Sequence, residues 1–134
     1  MQTTVVPMPM SELCDRLTIA RLKQQRLSDE QASQKDLLAQ IEYYLRGIDV
    51  SDFCLGDLVV ELEKVNGKIW DAEHAIRKGL DDKVPLEEIG RRALVIRDLN
   101  MRRIAVKNAI ANHTGQGEFI DVKMNYANGS PTAG

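Results

Sequence analysis

Apolar residues recur at alternating steps of four and three along the second half of the chain, which is the spacing of helices packed along one side. The clearest series comprises Leu58, Leu62, Val65, Ile69, Ala72 and Ile76. It predicts a helix, the third of the chain, that stops near Gly79. After Pro85, which suits a first helical position, a fourth helix is predicted from Leu86 to Asn112, about 40 Å long at 1.5 Å per residue.

Two shorter helices are predicted upstream of this pair. Ser11 is the expected N-cap of the first helix, which runs to about Leu27. Ser28 is followed three residues later by Gln31, a capping-box pattern, so the second helix is expected to begin there and to end at Gly47. Four helices joined by short links predict an all-α, antiparallel four-helix bundle.

Length and composition fit this class. A chain of 134 residues predicts a single domain, with a leader over residues 1–10 and an irregular, partly extended tail over residues 113–134. The apolar fraction of 43% and the charged fraction of 28% are those of a soluble globular protein. The fourth helix is apolar over much of its circumference and is expected to be central. Because the last two helices are long, a partner chain is expected to cover part of them, so the protein should self-associate.

Several classes of site lack their usual signals. Cys14 and Cys54 form neither a CxxC pair nor a zinc pattern, and Cys14 is expected to be a small core residue. The N-terminus does not resemble a secretory signal, and no apolar run reaches the roughly 18 residues of a membrane span, so a cytoplasmic protein with reduced thiols is expected. There is no glycine-rich phosphate loop. No metal, cofactor or catalytic residue is therefore predicted.

A row of polar residues interrupts the helical pattern. In the third helix, Asn66, Trp70, Glu73 and Arg77 run beside the apolar series at the same spacing. In the fourth helix, an apolar track turns polar for three steps, at Asn100, Arg103 and Lys107. Asp15 and Thr18 share one face of the first helix. We call these nine residues the polar seam.

The polar seam has three interpretations. Its charges could satisfy one another and fix the helix register, it could be an exposed row, or it could form a cleft that binds a small anion or a sugar phosphate. The expected network has two acceptors, three donors and two bridging amides. The acceptors are Asp15 and Glu73, the donors Arg77, Arg103 and Lys107, and the bridges Asn66 and Asn100. If the seam is purely structural, the function is expected to involve a protein partner.

Asn66 is followed by a glycine in the middle of the third helix, where Gly costs about 1 kcal/mol relative to Ala. Gly67 therefore predicts either a break in the helix or the close approach of a neighbouring backbone.

Two other functions make different structural predictions. The first is a small-molecule enzyme acting on a phosphorylated or nucleotide-like substrate. Metal-dependent hydrolysis of such a substrate would need at least three converging carboxylates, and the candidate pairs are Glu12 with Asp15 and Asp57 with Glu61. A nucleic-acid-associated protein would present the arginines of the fourth helix outward along one side. The net charge of −2 argues against a dedicated nucleic-acid binder, although residues 86–112 hold six Arg or Lys against three Asp or Glu.

Three segments resemble the signatures of a known group of proteins. They are "LCDRLTIARLKQQRL", "LEKVNGKIWDAEHAIRKG" and "IRDLNMRRIAVKNAI", and the terminal "VKMNY" is also similar. The group consists of small all-helical bacterial and phage-like proteins of unknown function that are often encoded beside glycosyltransferases. The resemblance covers roughly half of the chain. It implies a helical bundle and a role related to glycans, without a specific activity. It matches positions Asp15, Thr18, Lys23, Asn66, Trp70, Glu73, Arg77, Asn100, Arg103 and Lys107.

Overall fold

The computed structural model describes residues 8–121, and within this range the chain forms four α-helices and no strand. They are α1 (Met10–Arg26), α2 (Gln34–Leu45), α3 (Phe53–Asp81) and α4 (Leu86–His113). The predicted all-α helical bundle is confirmed. None of the described helices combines the length and the apolar character needed to cross a membrane.

The two ends of the chain differ from the prediction where they are described. The leader was expected over residues 1–10, but α1 already begins at Met10. In the expected tail, Gly117–Phe119 form a short 3-10 helix in place of extended chain. The remaining parts of both predictions, residues 1–7 and 122–134, lie outside the described residues.

The first two helices begin at other residues than predicted. Pro9 occupies the N-cap position of α1, and Ser11 lies buried in its first turn. The capping-box bonds between Ser28 and Gln31 do form, with the Ser28 N–H donating to Gln31 Oε1 at 2.9 Å. They close a turn rather than start a helix, because Ser33 caps α2 by accepting from the Asp36 N–H at 3.3 Å. α2 then ends at Leu45, short of Gly47.

The third helix is continuous through Gly67, so of the two alternatives for this glycine the break does not occur. It begins after Asp52, whose side chain accepts from the Leu55 N–H at 3.0 Å, and it ends at Asp81. Close approach does occur at the glycine, but by side chains of α1. A Cβ at Gly67 would lie 3.2 Å from Nη2 of Arg26 and 3.6 Å from Cδ2 of Leu22. The missing side chain lets α1 pack closely on α3.

The central helix is α1, contrary to the expectation for α4, because α1 packs against each of the other three helices. It runs antiparallel to α4, since the Met10 N–H donates to Gln116 Oε1 while Asp15 binds Arg103 further along. The core between the helices is built from buried apolar side chains. They are Cys14, Leu17, Leu55, Val59, Leu62 and Ile110.

Where α1 ends, the hairpin of α3 and α4 continues without a further helix against it in the part of the chain that the structure describes. We call this part of the hairpin, residues 72–99, the arm. Every hydrogen bond and ion pair of a side chain in the arm that falls within residues 8–121 stays inside the arm, as when Arg92 donates to the Ala75 carbonyl at 2.6 Å. Several of its apolar residues are accordingly exposed, among them Leu80 by 56% and Leu94 by 50%. The side of α4 that was expected to lie in the core is open because α1 is only 17 residues long.

At the opposite end of the bundle, a histidine contacts a capping carboxylate. His113, the last residue of α4, lies 2.8 Å from the Asp52 carboxylate that caps α3. The pKa of Asp52 lies below its ordinary value, first because the Leu55 N–H donates to it and second because His113 does. The pair joins the end of α4 to the start of α3.

Two glycines of α3 provide a matched test of this packing. Gly56→Ala adds a Cβ that meets no atom within 4 Å, so it should raise the free energy of unfolding by up to about 1 kcal/mol through helix propensity. Gly67→Leu must displace Leu22 and Arg26, so it should lower that free energy by about 1–3 kcal/mol. Urea denaturation followed by circular dichroism measures both changes. Equal effects at the two positions would contradict the close approach of α1.

Candidate functional site

The buried carboxylate of Asp15 joins three helices in one hydrogen-bond network. From α4, Arg103 donates to it with Nε at 3.1 Å and also with Nη2. From α3, Asn66 donates its Nδ2 to Asp15 Oδ1 at 2.9 Å and to Thr18 Oγ1 at 2.8 Å. Thr18 in turn donates to the Asp15 carbonyl at 2.8 Å. Three of the seven residues predicted for the network are in it, namely Asp15, Asn66 and Arg103, and Thr18 joins them. Asn100 does not act as the predicted bridge, because it forms no side-chain hydrogen bond within residues 8–121 and lines a cavity instead.

The charge on Asp15 is stabilised by its partners. Burial alone raises the pKa of this carboxyl, but the hydrogen bonds from Arg103 and Asn66, together with the charges of Arg103 and Lys107, outweigh burial and hold the pKa below its ordinary value. The same pair raises the pKa of Arg103. Cys14 lies next to Asp15, and its burial and the neighbouring charge raise the pKa of its thiol to about 11. Cys14 is therefore an unreactive core residue, as predicted.

Lys107 belongs to a second ion pair, one turn further along α4. Its Nζ lies 2.5 Å from Glu12 Oε1 and 3.4 Å from Asp121 Oδ2. The prediction that Lys107 donates to Asp15 is wrong. Because α1 and α4 are antiparallel, Glu12 and not Asp15 lies opposite Lys107. The sequence contained a signal for this pair. Glu12 precedes Asp15 by one turn, and Lys107 follows Arg103 by one turn.

Beside the Asp15 network lies a half-open cavity of about 220 Å³. It is lined by apolar residues of α1 and α3 and by five members of the polar seam. The apolar residues are Ile19, Leu22 and Ile69, and the seam residues are Asn66, Trp70, Glu73, Asn100 and Arg103. The guanidinium of Arg26 stands 5.9 Å from the centre of the Trp70 ring, at the end of α1. The polar seam is thus buried at one end and open at the other.

Glu73 and Arg77 do not take the network positions predicted for them. Both side chains are exposed, and neither forms a hydrogen bond or an ion pair with another residue of 8–121. Glu73 lines the cavity, whereas Arg77 lies beyond it, on the arm. The physical reason is that α1 ends at Arg26, so nothing in the described chain covers this part of α3.

The sequence analysis missed one contact of the site completely. Arg26 bonds to Asp71 Oδ1 at 2.6 Å and to the Gly67 carbonyl at 3.4 Å, and so fixes the end of α1 beside the cavity. The pairing of Arg26 with Asp71 depends on how α1 packs on α3. The spacing of residues within either helix alone does not indicate it.

The structure bears on the two alternative functions, metal-dependent hydrolysis and nucleic-acid binding. Within residues 8–121, no three His, Cys, Asp or Glu side chains come close enough together to hold a metal ion. The five arginines of α4 each contact a carboxylate, and Arg91, Arg97 and Arg102 are also exposed to solvent. Arg91 and Arg92 contact Glu88, Arg97 contacts Asp98, Arg102 contacts Glu61, and Arg103 contacts Asp15.

No known family model matches this chain, and searches of curated proteins and of solved structures return no significant match. The resemblance to the group encoded beside glycosyltransferases therefore stays a prediction.

Removing Asp15 should be far more costly than removing Glu73. Asp15→Ala leaves Arg103 and Asn66 without their shared acceptor and should lower the free energy of unfolding by about 3 kcal/mol. Glu73→Ala removes an exposed side chain that has no partner within residues 8–121, so it should change the unfolding free energy of one chain by less than about 0.5 kcal/mol. Denaturant titration of the two variants measures the difference. Similar losses would mean that Glu73 shares in the network.

The Asp15 network should also make stability depend on pH. Because folding lowers the pKa of Asp15, its ionised form stabilises the fold above about pH 4, and this contribution is lost as the pH falls through the lowered value. Asp15→Asn has no carboxyl group at this position, so its stability lacks this dependence on pH. The difference in unfolding free energy between wild type and Asp15→Asn should therefore narrow from pH 7 to about pH 2. A difference that stays constant over this range would contradict the charged network.

Proposed function

We propose that this protein is a non-catalytic binding and assembly protein whose cavity at the open end of the polar seam binds one sugar ring. The observation that carries the proposal is the lining itself. One side chain is aromatic, two are amides, and one carboxylate and one guanidinium complete the polar groups around an aliphatic floor. Binding sites for small molecules have this composition, a mostly apolar wall with a few convergent polar groups.

The charge of the cavity favours a neutral ligand over an anion. Its one cation, Arg103, already donates twice to Asp15, and Glu73 adds a negative charge. The other two cations that suggested anion binding point elsewhere, since Lys107 is paired with Glu12 and Arg77 does not line the cavity. A phosphate group needs unpaired donors and a surplus of positive charge. In a sugar phosphate, the cavity would therefore recognise the sugar ring and not the phosphate group.

A sugar ring suits the remaining groups. Its hydroxyls both donate and accept, which matches the amides of Asn66 and Asn100 and the carboxylate of Glu73. Its apolar face can lie against an aromatic side chain such as Trp70. The volume of about 220 Å³ is below the roughly 300–1,000 Å³ of sites for drug-sized ligands, so the ligand is about one ring in size. The resemblance to proteins encoded beside glycosyltransferases points to the same ligand class.

Fluorescence provides a direct test, because Trp70 is the only tryptophan of the chain and lines the cavity. Methyl glycosides of hexoses and N-acetylhexosamines, titrated into the protein, should shift its emission for at least one sugar. The phosphorylated form of that sugar should bind no more than about tenfold more tightly, whereas inorganic phosphate should cause no shift.

Asn100→Ala removes one amide from the lining and should weaken binding by at least about fivefold, the loss of one hydrogen bond of roughly 1 kcal/mol. Asn112→Ala removes an exposed amide near the end of the same helix and should leave affinity unchanged. A shift with inorganic phosphate, or no shift with any sugar, would overturn the proposal.

A further inference from the structure

The inner side of α3 carries one continuous row of positions at steps of four and three. We call it the inner row. It comprises Leu55, Val59, Leu62, Asn66, Ile69, Glu73, Ile76 and Leu80. The first four are buried under α1, whereas Glu73 and Leu80 are exposed. A row at this spacing is the side along which helices pack in bundles and coiled coils. Ile69 and Ile76 are half-buried, so within residues 8–121 the second half of the row is only partly covered.

The fourth helix adds an uncovered row on the same side. Arg103 and Lys107 face α1, where they meet Asp15 and Glu12. Toward the start of α4, the same track continues through Asn100 to Ile96, Ala93 and Ile89, the last three of which lie beyond the end of α1. Ile89 and Ile96 are half-buried, and Ala93 is exposed. Together with the exposed positions of the inner row, they form one partly covered groove along the arm, in which Ile89 packs toward α3, with its Cδ1 2.9 Å from the position of a Cβ at Gly79.

The charges in this groove indicate what covers it. Glu73 and Arg77 stand four residues apart, the order and spacing of a favourable pair within one helix. Glu42 and Arg46 form a pair of this order at 2.9 Å, and Lys78 and Asp82 form one in the reverse order at 3.3 Å. Glu73 and Arg77 form none within residues 8–121, and both remain exposed. The groove therefore presents one acid and one base, each without a partner in the described chain.

We propose that the arm pairs with the arm of a second copy of this chain, antiparallel and about a two-fold axis near residue 75 of α3. In this register, Glu73 of each copy meets Arg77 of the second copy, and Leu80 meets Ile69 and Trp70 of the second copy. A surface related to itself by a two-fold axis must be self-complementary, and this one is, in charge and in apolar character. A parallel pair would instead place Glu73 against Glu73.

The two arms then form a four-helix bundle between copies, in which each inner row is covered along its whole length. This assigns a surface and a register to the self-association that the long helices suggested. Trp70 lines the cavity and also lies in the proposed contact between the arms. The association therefore places Leu80 of the second copy at the edge of the cavity. The inference does not depend on the proposed ligand.

Charge reversal tests the pairing. Sedimentation velocity over a range of concentrations should show a dimer for the wild type. Glu73→Arg and Arg77→Glu each create two like-charged contacts, so each should raise the dissociation constant by at least about tenfold. The double variant Glu73→Arg/Arg77→Glu restores both contacts and should return to the wild-type constant. Both substituted positions are exposed, so circular dichroism should show the same helix content for the variants as for the wild type.

Controls separate this surface from others. Asp57→Arg reverses an exposed charge of α3 outside the arm and should leave the dimer unchanged, as should Asn100→Ala, which tests the cavity. In a Cys54→Ser background, a mixture of Glu73→Cys and Arg77→Cys proteins should form the mixed disulfide on oxidation, whereas Glu73→Cys alone should cross-link poorly. A monomeric wild type, a dimer that tolerates the single reversals, or dominant cross-linking of Glu73→Cys alone would each overturn the inference.

Discussion

The fold depends on one buried carboxylate. Asp15 on α1 accepts from Asn66 on α3 and from Arg103 on α4, so a single side chain fixes the relative heights of three helices. A buried charge without partners is strongly unfavourable, and a shift of α1 by one residue along α3 or α4 would break these bonds. Apolar contacts allow many registers, whereas this network allows one. It specifies the bundle more than it stabilises it.

The cavity follows from the same arrangement. The bond to Asp15 holds Arg103 and leaves it partly exposed, with 31% of its side chain accessible. Asn66 is shared between the network and the cavity wall. The cavity therefore has rigid polar groups on its buried side, whereas Trp70 and Glu73 at its edge are less constrained. A ligand would meet preorganised polar groups at little cost in side-chain entropy.

The sequence predicted the fold well, because spacing and turn residues encode helices locally. It also found the polar seam, since polar residues within an apolar track are a local signal, and Asp15, Thr18, Asn66 and Arg103 do meet. Lys107 and Arg77 were misplaced for a different reason. Their partners depend on how α1 lies along α4 and on where α1 ends, which spacing within one helix does not reveal. The turn at Ser28 shows the converse, a correct local bond pattern with a different global role.

The contact between Met10 and Gln116 has a topological consequence. The Met10 N–H and the Gln116 side chain are 2.7 Å apart although 106 positions separate them in the chain. The start of α1 and the end of α4 thus lie together at one end of the bundle, opposite the turn between α3 and α4. Linking residues near 10 and 116 and opening the chain in that turn would keep every helix and its neighbours. The architecture is therefore compatible with circular permutation, and the order of its helices along the chain is not essential to it.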